Sequence, residues 1–171
     1  MGAPGSRLFP LVFIGPMAAG KTKVGKRVAH QLEVPFIDTD KRIVTAYGPI
    51  ARIFEREGEE YFRVLEREAV AEALGEEAVV SLGGGAVLNA ETQADLADCT
   101  VVFLSTTAEA VASRINNAKR PLLKNGIEDW QRIYDLRLPT YEALASIRFD
   151  TSHKPVDDIA ADIVAWVRET S

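Results

Sequence analysis

Residues 15–22 read Gly-Pro-Met-Ala-Ala-Gly-Lys-Thr, the spacing G-x-x-x-x-G-K-[ST] of a phosphate-binding loop. Glycines at both ends let the backbone curl so that successive N–H groups and a helix N-terminus converge on one anion. Lys21 is then placed to reach β- and γ-phosphates, and the Thr22 hydroxyl to hold Mg²⁺. A pattern with four free positions also occurs by chance, as a strand-to-helix turn that binds nothing, so its flanks decide. Leu8–Ile14 is apolar and β-favouring apart from Pro10, and Val24, Val28, Ala29 and Leu32 recur at helical spacing among Lys23, Lys26 and Arg27. Strand, glycine turn and helix follow in the required order, which makes the chain a nucleotide binder.

Three further groups could do chemistry. The segment Phe36-Ile37-Asp38-Thr39-Asp40 sets two carboxylates two residues apart at the end of an apolar run, on one face if the segment is extended. One carboxylate could then sit near Mg²⁺ and the other near a second substrate; the simpler alternative is a helix cap. Gly83-Gly84-Gly85 follows Ser81-Leu82 directly, where glycine would let a ligand approach the backbone, or would merely make a turn. Arg63 and Glu66 form an i, i+3 pair whose plain reading is a surface salt bridge. From Arg114 through Lys119 and Arg120 to Leu123 the chain is basic and polar, in the manner of a lid.

These residues need a scaffold. Apolar β-rich runs at Leu8–Ile14, Val34–Ile37, Val79–Leu82, Val101–Leu104 and Ile147–Phe149 alternate with helical patterns. The helical patterns span Lys21–Leu32, Ile50–Glu57, Glu59–Leu74, Ala90–Leu96, Ala108–Asn116, Glu128–Ala145 and Val156–Glu169. That alternation predicts a doubly wound α/β fold with a parallel sheet covered on both faces. Ligands in such folds bind beyond the carboxyl ends of the strands, where all of these groups fall.

Size and composition restrict the partners. A chain of 171 residues is enough for about one domain with a sound core, and 47% hydrophobic and 26% charged residues are ordinary for a globular protein. A net charge of -5 argues against nucleic acid as the main partner. The longest apolar stretch, Leu8 to Ala19, is too short to span a bilayer, which together with the lone Cys99 predicts a cytoplasmic protein with a buried structural thiol. Met1-Gly2 with Ser6 matches a myristoylation pattern, but nothing else suggests an anchor.

In order, these segments resemble shikimate kinases, within the wider group of nucleoside monophosphate kinase-like phosphotransferases. The resemblance rests on Gly15–Thr22, Asp38-Thr39-Asp40, Ile53-Phe54 with Gly58-Glu59 and Phe62-Arg63, Gly83–Gly85, Arg120-Pro121-Leu122-Leu123, and Arg137-Leu138-Pro139-Thr140-Tyr141. It implies a three-layer P-loop kinase fold over residues 1–171, with a five-stranded parallel sheet of order 2-3-1-4-5, an acceptor-binding region near 39–66 and a lid near 116–127. It further implies ATP and shikimate as substrates, shikimate 3-phosphate as a product on the way to aromatic amino acids, Mg²⁺ as cofactor, and a monomer.

Carried over by position, the nucleotide side comprises Gly15, Ala18, Ala19, Gly20, Lys21, Thr22 and Lys23, with Arg114, Lys154 and Pro155 on adenine and Thr22 and Asp38 at the metal. Arg63, Gly83, Gly84, Gly85 and Arg137 hold shikimate, whose carboxylate suits a guanidinium fork, and Glu66 orients Arg63. Asp40 binds an acceptor hydroxyl and takes its proton, while Lys21 and Arg120 carry positive charge to the transferring phosphate.

Some positions depart from the pattern. Ala18 replaces a frequent glycine, which is harmless if φ there is negative; Lys23 removes a second hydroxyl; Arg52 stands where an acid is common. A gluconate kinase shares the loop and lid logic without the paired Arg63 and Arg137, and a non-catalytic nucleotide-binding module would lack one of the groups named above.

Overall fold

The computed structural model describes residues 8–118 and 126–170, with the backbone alone at 116–118. Five strands, β1 (Leu11–Ile14), β2 (Phe36–Asp38), β3 (Val79–Ser81), β4 (Thr100–Ser105) and β5 (Ile147–Asp150), form one sheet of order β2-β3-β1-β4-β5. Every pairing is parallel. Among the described residues, eight helices connect or follow them: α1 (Lys21–Leu32), α2 (Thr39–Tyr47), α3 (Ile50–Glu57), α4 (Glu59–Ala73), α5 (Ala90–Leu96), α6 (Ala108–Ala118), α7 (Ile127–Leu144) and α8 (Val156–Thr170).

Burial on both faces explains why the central strands are apolar throughout rather than alternating. Leu11 and Phe13 of β1 pack with Val24 and Val28 of α1 and with Ile159, Ile163 and Val167 of α8. Val12 and Ile14 face the other layer, where Val70 of α4, Val111 of α6, and Trp130, Tyr134 and Tyr141 of α7 close the core. A small satellite core of Ile43, Ile53, Phe62 and Leu65 holds α2, α3 and α4 together beside the sheet.

The expected order and sheet are present, with local corrections. β1 starts at Leu11 rather than Leu8. The segment after β2 is not extended, because the Asp38 carboxylate accepts from Lys41 N at 3.2 Å and starts α2 at Thr39. Asp40 therefore lies in a first helical turn. A short 3-10 helix, Ala86–Leu88, follows the glycine run. Cys99 is only partly buried and donates to Asp95 O at 3.4 Å, with burial raising its pKa.

Glu33 ends α1 with φ 58°, in the left-handed region, while its N–H bonds Ala29 and His30 carbonyls. A side chain there costs about 1–2 kcal/mol, which glycine avoids. Glu33→Gly is expected to raise stability by about 1 kcal/mol, read as a thermal midpoint roughly 2–4 °C higher; an unchanged or lower midpoint would contradict this.

Candidate active site

The phosphate loop runs from the end of β1 into α1, and side chains from distant elements hold its carbonyls. Trp130 Nε1 on α7 donates to Met17 O at 2.7 Å, Arg114 Nη1 on α6 to Ala18 O at 2.6 Å, and Thr151 Oγ1 after β5 to Ala19 O at 2.7 Å. A trans peptide points its N–H opposite to its carbonyl, so anchoring Met17 O and Ala19 O turns the N–H groups of Ala18 and Gly20 away from those anchors. The Ala19 N–H closes the loop on Pro16 O at 3.2 Å. The first N–H groups of α1 add donors with no intrahelical partner. Gly15 threads past β4 so closely that a Cβ would lie 2.3 Å from Leu104 O.

Ala18 does not have the negative φ under which alanine costs nothing. Its φ is 67°, which an L-residue adopts only at a cost of about 1–2 kcal/mol. The Arg114 bond to its carbonyl, backed by Arg114 bonds to Thr106 Oγ1 at 3.2 Å and to Thr151, holds the loop in that conformation.

Lys21 Nζ donates to Gly15 O at 2.6 Å and Pro16 O at 3.0 Å, folded across the loop. Burial lowers its pKa to about 8, against the raising effect of Asp40 and Asp38. Beside it Thr22 Oγ1 donates to Asp38 Oδ2 at 3.3 Å. Asp38 thus caps α2 with one oxygen and meets the loop hydroxyl with the other, so the two readings of this residue are compatible. Among the described residues no group of three His, Cys, Asp or Glu side chains could enclose a metal. One hydroxyl and one carboxylate fit Mg²⁺, which keeps several waters and binds substrate phosphates rather than a protein cage.

Asp40 faces the other end of the site. Its Oδ1 is buried and has no hydrogen-bond partner among the described residues. Burial raises its pKa and Asp38 adds to this, against Lys21 and Arg63. The three glycines show why it can sit there. A Cβ on Gly83 would lie 2.7 Å from Asp40 Oδ1; one on Gly84, 3.3 Å from Arg137 Nη1; one on Gly85, 2.8 Å from Arg63 Nη1 and 3.0 Å from Arg137 Nη2. The run is glycine because a carboxylate and two guanidiniums occupy the space that side chains would take, and none of the three has a positive φ.

Arg63 and Glu66 are more than a surface pair. Glu66 is 4% exposed and accepts from Arg63 Nη1 at 2.7 Å, which fixes the guanidinium against Gly85, while Glu59 bonds its second nitrogen at 3.4 Å. Across the run, Tyr141 OH donates to Gly84 O at 2.6 Å. Burial pushes its pKa to about 12, so the phenol keeps the proton it donates.

Lys21, Thr22, Lys23, Asp38, Asp40, Gly83, Gly84, Arg114 and Lys154 all border one cavity of about 850 Å³. Arg63 and Gly85 border a smaller neighbouring cavity of about 210 Å³. Lys154 pairs with Asp162, and Pro155 leads into α8. Arg120 and most of the expected lid lie outside the described residues, and the described ends of that segment are helical, in α6 and at Ile127. Sequence reasoning missed the anchors Trp130, Thr106 and Thr151, which no local spacing marks.

This arrangement can hold a phosphate chain at one end and a hydroxylated acid at the other. A family model described as Shikimate kinase matches residues 17–168. The shikimate kinase of Streptomyces coelicolor is 44% identical over 153 residues, spanning 87% of this chain and 90% of the relative. That of Thermobifida fusca is 43% identical over 159 residues, spanning 90% and 91%. The solved structure of shikimate kinase from Acinetobacter baumannii in complex with shikimate matches with a TM-score of 0.88 at 32% identity, covering 98% of this chain and 97% of that one. A gluconokinase from Sinorhizobium meliloti matches at 0.64 and 20% identity, covering 95% and 94%, a likeness of fold alone.

Lys21 gives the site a pH signature. Without a phosphate beside it Lys21 loses its charge above about pH 8, and an anionic phosphate chain restores that charge. ADP binding is therefore expected to take up more protons near pH 9 than near pH 7, and its affinity to fall as the pH rises past 8. Calorimetry in buffers of different ionisation enthalpy reads the uptake; an uptake independent of pH would mean that Lys21 stays charged throughout.

Proposed function

The chain belongs to the shikimate kinase family, and we propose that it transfers the γ-phosphoryl group of ATP to the 3-hydroxyl of shikimate, giving shikimate 3-phosphate and ADP. The observation that carries this reading is the half-buried Asp40, whose buried Oδ1 has no partner among the described residues, with the Arg63 and Arg137 guanidiniums a few ångströms further along the glycine run. A small acid bearing hydroxyls complements that set: its carboxylate pairs with the guanidiniums and a hydroxyl donates to Asp40.

In this mechanism the chain's own residues mostly position and neutralise. Arg63, braced by Glu66, and Arg137 hold the acceptor, so its hydroxyl lies against Asp40. The raised pKa of Asp40 makes it a better proton acceptor than an exposed carboxylate, and it takes the hydroxyl proton as the new P–O bond forms. Lys21 leaves the Gly15 and Pro16 carbonyls for the β- and γ-phosphates, where its charge offsets that of the loose, in-line transition state. Thr22 and Asp38 would hold Mg²⁺, whose charge, when bound, neutralises the phosphate oxygens. Arg120 is assigned to the transferring phosphate, and Arg114, Lys154 and Pro155 to the adenine side, by the family pattern. Residues near 39–66 form the acceptor region of a single domain, and the enzyme works as a cytoplasmic monomer. No described helix is long and apolar enough to cross a membrane.

An ADP-release assay with ATP and Mg²⁺ tests the reading: turnover with shikimate and only background without it are expected, and turnover with gluconate alone would overturn it. Two variants separate the roles. Asp40→Asn is expected to lower kcat by about 10²–10⁴-fold while leaving MgADP affinity within about threefold, since proton transfer is lost but the phosphate loop is intact; unchanged turnover would leave Asp40 a structural residue. Gly85→Ala pushes a methyl group against both guanidiniums and is expected to raise KM for shikimate more than about tenfold with KM for ATP little changed. Equal loss for both substrates would place the defect in folding.

A further inference from the structure

One helix touches both halves of the site. On α7, Trp130, Tyr134, Arg137 and Tyr141 are spaced four, three and four residues apart, which puts them on one face. Trp130, 2% exposed, donates from Nε1 to Met17 O of the phosphate loop. Arg137 reaches Gly84 and Gly85, and Tyr141 bonds Gly84 O. The intervening aromatics are packed in series: Trp130 and Tyr134 have ring centroids 5.1 Å apart, Tyr134 and Tyr141 6.4 Å, and Tyr141 stacks on Phe103 of β4 at 5.2 Å. Pro139, inside the same helix, removes only the bond to Asp135 O, while helical bonds from residues 134–138 back to 130–134 still span the two turns, roughly 10 Å, that join Trp130 to Arg137.

We propose that Trp130 is a positioning residue that couples the two half-sites: a carboxylate held by Arg137 fixes α7, and the indole N–H passes that constraint to Met17 O and so to the phosphate loop. The proposal rests on the functional reading above for the identity of the acceptor, but the loop contact itself does not depend on it. A packed aromatic would fill the same space without the bond. What the indole adds is one directional hydrogen bond to a loop carbonyl, worth about a 2- to 12-fold change in a binding constant. Because coupling is reciprocal, the same contact lets nucleotide binding tighten acceptor binding by the same factor.

Trp130→Phe keeps most of the packing and removes the donor. In the unaltered protein shikimate is expected to tighten ADP binding by about three- to tenfold. In the variant ADP alone is expected to bind about fivefold more weakly, with the effect of shikimate on ADP reduced to less than twofold and shikimate binding without nucleotide unchanged. A purely structural role would weaken both ligands and leave their ratio intact, which would overturn the proposal, as would an absence of coupling in the unaltered protein. A second arm leaves Trp130 in place. In Trp166→Phe, Trp130 is the sole tryptophan, and shikimate added without nucleotide is expected to change its emission; an emission blind to shikimate overturns the proposal. If the unaltered protein bound ADP but not shikimate, the functional reading itself would fall, a result distinct from an unaltered coupling ratio in Trp130→Phe.

Discussion

The site depends on how the carbonyls of the phosphate loop are held. An anion cradle made of backbone N–H groups is useful only if those groups already point at the ligand, since each peptide is planar and its carbonyl must then face elsewhere. A carbonyl turned into a protein interior needs a donor, or it costs about 1–3 kcal/mol. Trp130 on α7, Arg114 on α6 and Thr151 in the loop after β5 meet that need for Met17, Ala18 and Ala19. The strained φ of Ala18 persists because the surrounding bonds over-determine it.

The acceptor end is governed by the opposite problem, how to keep charges close without their collapsing on one another. Asp40 and the two guanidiniums lie along a run of three residues, and only glycine leaves room for all of them. Arg63 is kept from Asp40 by its bond to the buried Glu66, so Asp40 retains an unpaired oxygen. Asp38 divides its two oxygens between the Thr22 hydroxyl and the first turn of α2. Each fixed ion pair or cap thereby leaves one group free for a ligand, which is how a site can be both ordered and reactive.

Much of this was legible in the chain because it was local. The loop spacing, the apolar strands and the glycine run are short-range signals. What failed was also local in cause. Asp38-Thr39-Asp40 read as extended because the apolar period of α2 is carried by little more than Ile43 and Val44, while the capping bond that starts the helix is a matter of geometry. Arg63 and Glu66 have the spacing of any surface pair, and only the packing of α4 on the neighbouring helices buries the glutamate.

The sequence by itself determined the order of the strands and helices, the phosphate loop and the set of charged residues at the strand ends, because periodicity and glycine spacing act over a few residues. The tertiary structure decided which of those charges are free and which are tied. It brought Trp130 and Thr151, more than a hundred residues away along the chain, onto the loop carbonyls. It also gave the triple glycine its reason, which is the space taken by Asp40, Arg63 and Arg137 and not flexibility. Both depend on contacts across the sheet, where separation in sequence carries no information about distance.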